Sequence, residues 1–105
     1  MNLSIADKHL LQKFFAAKPV KKAYLFGSSA RNEANNKSDI DILVELDHSH
    51  PIGMKFFDYQ DELETLLKTK VDLISSEGLS RHVRPFVDKD KILIYERQDD
   101  WQGKD

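Results

Sequence analysis

Residues Gly27 to Val44 read GSSARNEANNKSDIDILV, and the two ends of this stretch decide how the rest is read. The apolar run Ala23-Tyr24-Leu25-Phe26 has strand composition and stops at Gly27, a residue that punctuates a sharp turn. Ser28 or Ser29 can cap a short helix through Arg31 and Glu33. Glycine lets an anion approach the backbone, and a helix N-terminus offers free N–H donors, so this end suits a phosphate group. At the other end, Asp39-Ile40-Asp41-Ile42 opens a second strand. Residues two apart in a strand share a face, so Asp39 and Asp41 project together while Ile40, Ile42, Val44 and Leu46 point into a core.

Two neighbouring carboxylates repel each other unless a cation or a proton sits between them. Mg²⁺ is a hard, oxygen-seeking ion held by one or two carboxylates together with substrate phosphates. A phosphate cradle followed by an acid pair is the equipment of a metal-dependent phosphoryl or nucleotidyl transferase. Each half also has a plainer reading. Gly-Ser after a strand is commonly a turn, and Asp-x-Asp is commonly the solvated face of an antiparallel sheet. Leu43 shares the face of Asp39 and Asp41 and implies that this face is partly covered.

Taken together, Gly27-Ser28-x-Ala30-Arg31 and Ser38-Asp39-Ile40-Asp41-Ile42-Leu43-Val44 resemble the signature of the polymerase-β nucleotidyltransferase superfamily. Within it they are similar to the minimal nucleotidyltransferases, or MNT domains. Asn32 stands where that pattern usually has a glycine, and asparagine tolerates a left-handed backbone better than most residues. The resemblance runs roughly from Lys22 to Glu96.

The bulk composition sets limits. A chain of 105 residues holds one domain with one modest core. Its 40% hydrophobic and 32% charged residues suit a globular rather than a disordered protein. Cysteine is absent, which removes disulfide frameworks and zinc–thiolate sites and is compatible with the cytoplasm. No run has the length of a membrane span, and Met1-Asn2-Leu3-Ser4 lacks the basic start of a secretory signal. The net charge is −2, and only Lys21-Lys22 and Arg81-His82-Val83-Arg84 cluster any basic residues. A grip on duplex phosphates needs a stronger basic face, and 105 residues leave no room for the domains with which templated polymerases hold DNA. Direct nucleic-acid binding and membrane attachment are therefore not expected.

Along the chain, Ser4-Ile5-Ala6-Asp7 reads as a capping box. Leu10, Leu11, Phe14 and Phe15 follow at helical spacing, which predicts a helix over Ile5 to Ala17 ended by Pro19. Strands are expected over Lys22–Phe26, Ile40–Leu46, Val71–Ile74 and Lys91–Glu96. A second helix is expected over Met54–Lys68, with Phe56, Gln60, Leu63 and Leu67 on its core face, widened by Phe57 and Leu66. Asp58, Asp61, Glu62 and Glu64 form its solvated side. A further helix over Leu79–Lys89 is kinked or restarted at Pro85. His48 and His50 lie in a polar loop and read as surface residues. The segment from Arg97 to Asp105 is a polar tail apart from Trp101.

Asp72 interrupts an apolar strand, where an acid is costly unless solvated, paired or metal-bound. An edge strand at solvent explains it alone. In the superfamily a third carboxylate arrives on a later strand beside the acid pair, and the resemblance implies that Asp72 is that residue.

The expected fold is an α/β (α+β) domain spanning the whole chain, its helices packed on a mixed sheet of about four strands. The resemblance implies Mg²⁺, two ions, held by Asp39, Asp41 and Asp72, with ATP as substrate. It also implies that Gly27, Ser28 and Ser29 bind the phosphates and that Arg31 neutralises their charge; Arg31 is otherwise an exposed helix arginine. Many MNT domains are antitoxins paired with HEPN-domain ribonuclease toxins, and some transfer AMP to a tyrosine of that partner. The resemblance therefore implies a protein adenylyltransferase. The alternative from a different class is a non-catalytic module that neutralises a toxin by occluding it.

Overall fold

In the computed structural model, residues 4–26, 40–47, 52–78, 81–82 and 84–97 are described. Ser4 opens the first helix, α1 (Ile5–Ala16), with the reciprocal cap foreseen from the sequence. The Asp7 N–H donates to Ser4 Oγ at 3.0 Å and the Ser4 N–H to Asp7 Oδ2 at 3.3 Å. Leu11 and Phe15 turn inward; Leu10, on the expected stripe, stands 38% exposed.

Four strands follow: β1 (Val20–Leu25), β2 (Ile40–Leu46), β3 (Val71–Ser75) and β4 (Ile92–Glu96). They form one mixed sheet in the order β3-β2-β1-β4. β1 is antiparallel to both β2 and β4, whereas β2 and β3 run parallel. β1 starts two residues before the expected Lys22, because an irregularity between Val20 and Lys22 absorbs one extra residue. That bulge puts Val20 on the same face as Ala23 and Leu25, against the simple alternation of a regular strand.

The core face of the sheet carries Ala23, Leu25, Ile40, Ile42, Val44, Val71, Leu73 and Ile94 beneath α1 and the second helix, α2 (Lys55–Leu67). α2 ends at Lys68, whose φ of 57° is the left-handed conformation of a C-terminal cap. Its inward residues are Tyr59, Leu63 and Leu67, with Phe56 packed beside them. Phe57, expected to widen that face, is instead 60% exposed. A step of one residue rotates a helix by about 100°, so Phe56 and Phe57 cannot both face the core squarely. Tyr59 fills the place, edge-on to Phe14 at 6.0 Å between ring centroids.

β3 is an edge strand, and α2 covers its open ladder. The Val71 N–H donates to Glu64 Oε2 at 3.0 Å, and the Leu73 N–H to Gln60 Oε1 at 3.2 Å. Edge N–H groups satisfied by side chains are unavailable for pairing with another chain. Glu64 is thus a structural acceptor rather than only a member of a solvated face.

The second face is lined by Tyr24, Leu43 and Val87, with Phe26 and Ile74 packed against them. Val87 belongs to α3 (Arg84–Asp90). This helix is shorter than the expected Leu79–Lys89. A single 3₁₀ turn at Ser76–Gly78 precedes it, and Pro85 falls in its first turn, where a missing N–H costs nothing. At the far end of the sheet, Arg97 Nη1 donates to the buried Asp47 Oδ2 at 2.5 Å, tying β2 to β4 across the start of β1.

Tyr24 joins the sheet to α3. Its hydroxyl donates to Glu45 Oε2 at 2.9 Å, and Lys91 Nζ lies 4.4 Å from the ring centroid. Burial, reinforced by the Glu45 carboxylate, pushes the Tyr24 phenol up to about 12. A raised pKa means that the fold favours the protonated phenol. This contribution is complete below pH 10, the ordinary value, and is lost as the pH climbs through about 12. Between pH 9 and 12, Tyr24→Phe should therefore lose less stability than wild type in urea denaturation. Parallel losses in the two proteins would contradict this coupling.

Candidate active site

The C-terminal end of β1 and the N-terminal ends of β2 and β3 meet at one edge of the sheet. The Phe26 N–H donates to the Asp41 carbonyl at 3.1 Å, extending the β1–β2 ladder beyond Leu25 and Ile42. The Ile40 N–H donates to the Lys70 carbonyl at 3.0 Å, which fixes the start of β3 beside the start of β2. Ile40 and Ile42 are fully buried on the core face. Pleating therefore sends Asp41 and Leu43 to the α3 face.

Register does the rest. Asp41 is the direct Cα partner of Asp72 in the parallel β2–β3 pair, between the apolar partners Ile40–Val71 and Ile42–Leu73. Partners on adjacent strands share a face, and the strands lie about 4.8 Å apart. The two acids consequently stand side by side on the α3 face. Asp41 is half-buried and Asp72 exposed. The cost of an acid within Val71-Asp72-Leu73-Ile74 is avoided because Asp72 faces water at the edge strand. The solvent explanation and the acid-pair explanation describe the same position.

Leu43, one step further along β2, is 2% exposed, as the cover expected for this face requires. Across the strands it stands between Ile74 and Tyr24. An apolar floor of Tyr24, Leu43, Ile74 and Val87 thus adjoins the carboxylate pair. The sequence places Phe26 at the end of a strand and gives it no part in the site. Its continuation of the ladder puts it opposite Asp41, on the side away from Asp72. The available signal was the period-two spacing of Tyr24 and Phe26 before Gly27.

Asp41 and Asp72 are therefore brought together. Asp39, Gly27, Ser28, Ser29 and Arg31 lie outside the described residues, as do His48 and His50. Among the described residues no group of three or more histidine, cysteine, aspartate or glutamate side chains could hold a metal ion. The acid pair nevertheless fits a divalent cation: it consists of hard oxygen donors of like charge, aligned by the sheet, with Asp72 exposed to solvent. No helix among the described residues is long and apolar enough to cross a membrane.

The sequence matches the family described as polymerase beta, nucleotidyltransferase, over residues 8–100. MJ0128 of Methanocaldococcus jannaschii, a candidate protein adenylyltransferase, is 42% identical over 76 residues, 71% of this chain and 76% of its own length. The protein adenylyltransferase MntA of Thermococcus cleftensis is 32% identical over 92 residues, 88% of each chain. Among solved structures, a candidate minimal nucleotidyltransferase superposes with a TM-score of 0.73 at 30% identity, over 83% of this chain and 88% of its own. A toxin–antitoxin structure with AMP-PNP gives the same TM-score, 0.73, at 22% identity, over 89% of this chain and 76% of that one, and supports the fold alone. With the mixed sheet, the paired acids and these relatives in agreement, the chain belongs to the polymerase-β nucleotidyltransferase family and is similar to its small protein adenylyltransferases.

Proposed function

We propose that this chain, acting as one domain in the cytoplasm, transfers AMP from ATP to a tyrosine hydroxyl of a HEPN-domain ribonuclease toxin and so silences it. The observation that supports this best is the in-register pairing of Asp41 with Asp72 at the end of the sheet where β1 leads into Gly27. Two similar proteins support a protein acceptor. The Thermococcus relative is a protein adenylyltransferase. A solved complex of a tri-AMPylated Shewanella oneidensis HEPN toxin with an MNT antitoxin contains a chain of this fold, with a TM-score of 0.66 at 19% identity.

In this reading Asp39, Asp41 and Asp72 would hold Mg²⁺, two ions as the family resemblance implies. The metal would neutralise triphosphate charge and polarise the α-phosphate. Gly27, Ser28 and Ser29 bind the phosphates through backbone N–H and hydroxyl groups, and Arg31 balances their charge. Asp72, the more exposed acid, takes the proton from the acceptor hydroxyl. The hydroxyl oxygen then bonds to the α-phosphorus, the bond from that phosphorus to the bridging oxygen breaks, and pyrophosphate leaves.

Asp72→Ala separates catalysis from occlusion, since it leaves the other proposed ligands in place. Incubated with ATP, Mg²⁺ and the neighbouring toxin, the variant should transfer AMP about 10²–10⁴-fold more slowly than wild type. The toxin should keep its mass by mass spectrometry and its activity in an RNA-cleavage assay. Full neutralisation of an unmodified toxin would establish occlusion instead.

The acid pair also makes a stability prediction. In EDTA at low ionic strength, Asp72→Asn should raise the melting temperature, because one of two like charges is gone. Adding Mn²⁺ should stabilise wild type more than the variant. A lower melting temperature for the EDTA-treated variant would make Asp72 a structural acid.

A further inference from the structure

The row across the sheet does not end at the acids. The Phe26 N–H bond to the Asp41 carbonyl places Phe26 opposite Asp41 on β1, and Asp72 stands opposite Asp41 on β3. Leu25 and Ile42, one step back, are both on the core face, so Phe26 and Asp41 share the other one. The row is therefore Phe26, Asp41, Asp72. The Phe26 side chain is partly buried against the cluster formed by Tyr24, Leu43 and Val87. One aromatic residue thus belongs both to the apolar floor and to the line of carboxylates.

We infer that Phe26 is a positioning residue for the divalent cation: an apolar wall on the β1 side of Asp41 that directs its carboxylate toward Asp72. This rests on the metal-holding role proposed for the acids. A ring beside a carboxylate excludes water from one side and lowers the local dielectric, so the attraction of the carboxylate for a cation on its open side grows. Phe26 is partly buried against this cluster, so the ring stands beside Asp41 before any ligand arrives. Phe26 touches no reacting atom in this account. Its effect passes through Asp41.

The experiment compares wild type, Phe26→Ala, Phe26→Leu and Val87→Ala as full chains. Val87→Ala removes buried apolar volume from the same cluster without touching the carboxylate row, and Val87 is 7% exposed. Mn²⁺ binding without nucleotide is measured by electron paramagnetic resonance, alongside melting temperatures and circular dichroism. Phe26→Ala and Val87→Ala should both melt earlier. Phe26→Ala alone should weaken Mn²⁺ binding, by about tenfold, the usual size of an outer-shell effect on a metal site. Phe26→Leu, which restores an apolar wall, should recover most of the affinity. Equal Mn²⁺ affinity in wild type and Phe26→Ala overturns the inference, and so does an equal loss in Val87→Ala. Failure of the wider reading looks different: wild type binds Mn²⁺, Phe26→Ala binds it weakly, and no AMP transfer is seen. Absence of Mn²⁺ binding by wild type overturns both.

Discussion

The acidic end of the sheet depends on the register in which β2 and β3 pair. A one-residue slip of a strand sends every side chain to the opposite face. For β3 such a slip would bury Asp72 and expose Val71 and Leu73, which are 2% and 6% exposed in the fold. Each buried aliphatic side chain contributes about 1.5–3 kcal/mol, and burying an unpaired acid adds a further cost. The hydrophobic core therefore fixes where the carboxylates stand. Gln60 and Glu64 reinforce the choice by accepting the edge N–H groups of Leu73 and Val71.

The two faces of the sheet divide the work. α1 and α2 cover one face and supply most of the buried surface, whereas α3 covers only part of the other around Tyr24, Leu43 and Val87. Among the described residues, the part left uncovered is the end where Asp41 and Asp72 stand. Partial cover reconciles a stable fold with an accessible acid: the apolar floor is largely buried, and Asp72 next to it is exposed. The proposed transfer needs both, because the triphosphate would reach the acids from solvent.

Much of this was legible in the sequence, for local reasons. β2 was readable because the alternation Ile40, Ile42, Val44 is interrupted only by residues of the other face, and α1 because its capping box and its stripe agree. The placing of the acids was partly legible too: Asp41 by its spacing in Asp-Ile-Asp-Ile, whereas the residues alone read Asp72 as a solvent-facing edge-strand acid and only the family resemblance put it beside the pair. What escaped were consequences of long-range packing. Neither the bulge that starts β1 at Val20 nor the exchange of Phe57 for Tyr59 in the core follows from spacing alone. The place of Phe26 was half legible: its spacing from Tyr24 gives the face, but only the cross-strand bond puts it opposite Asp41.

A crystal structure of the chain soaked with Mn²⁺ and a non-hydrolysable ATP analogue, with anomalous scattering recorded at the manganese edge, tests the central claim most directly. The account predicts an anomalous peak within ligand distance of both the Asp41 and Asp72 carboxylates, with the analogue's phosphates on its open side. Manganese bound to neither acid, or bound to Asp41 while Asp72 points to solvent, would contradict it.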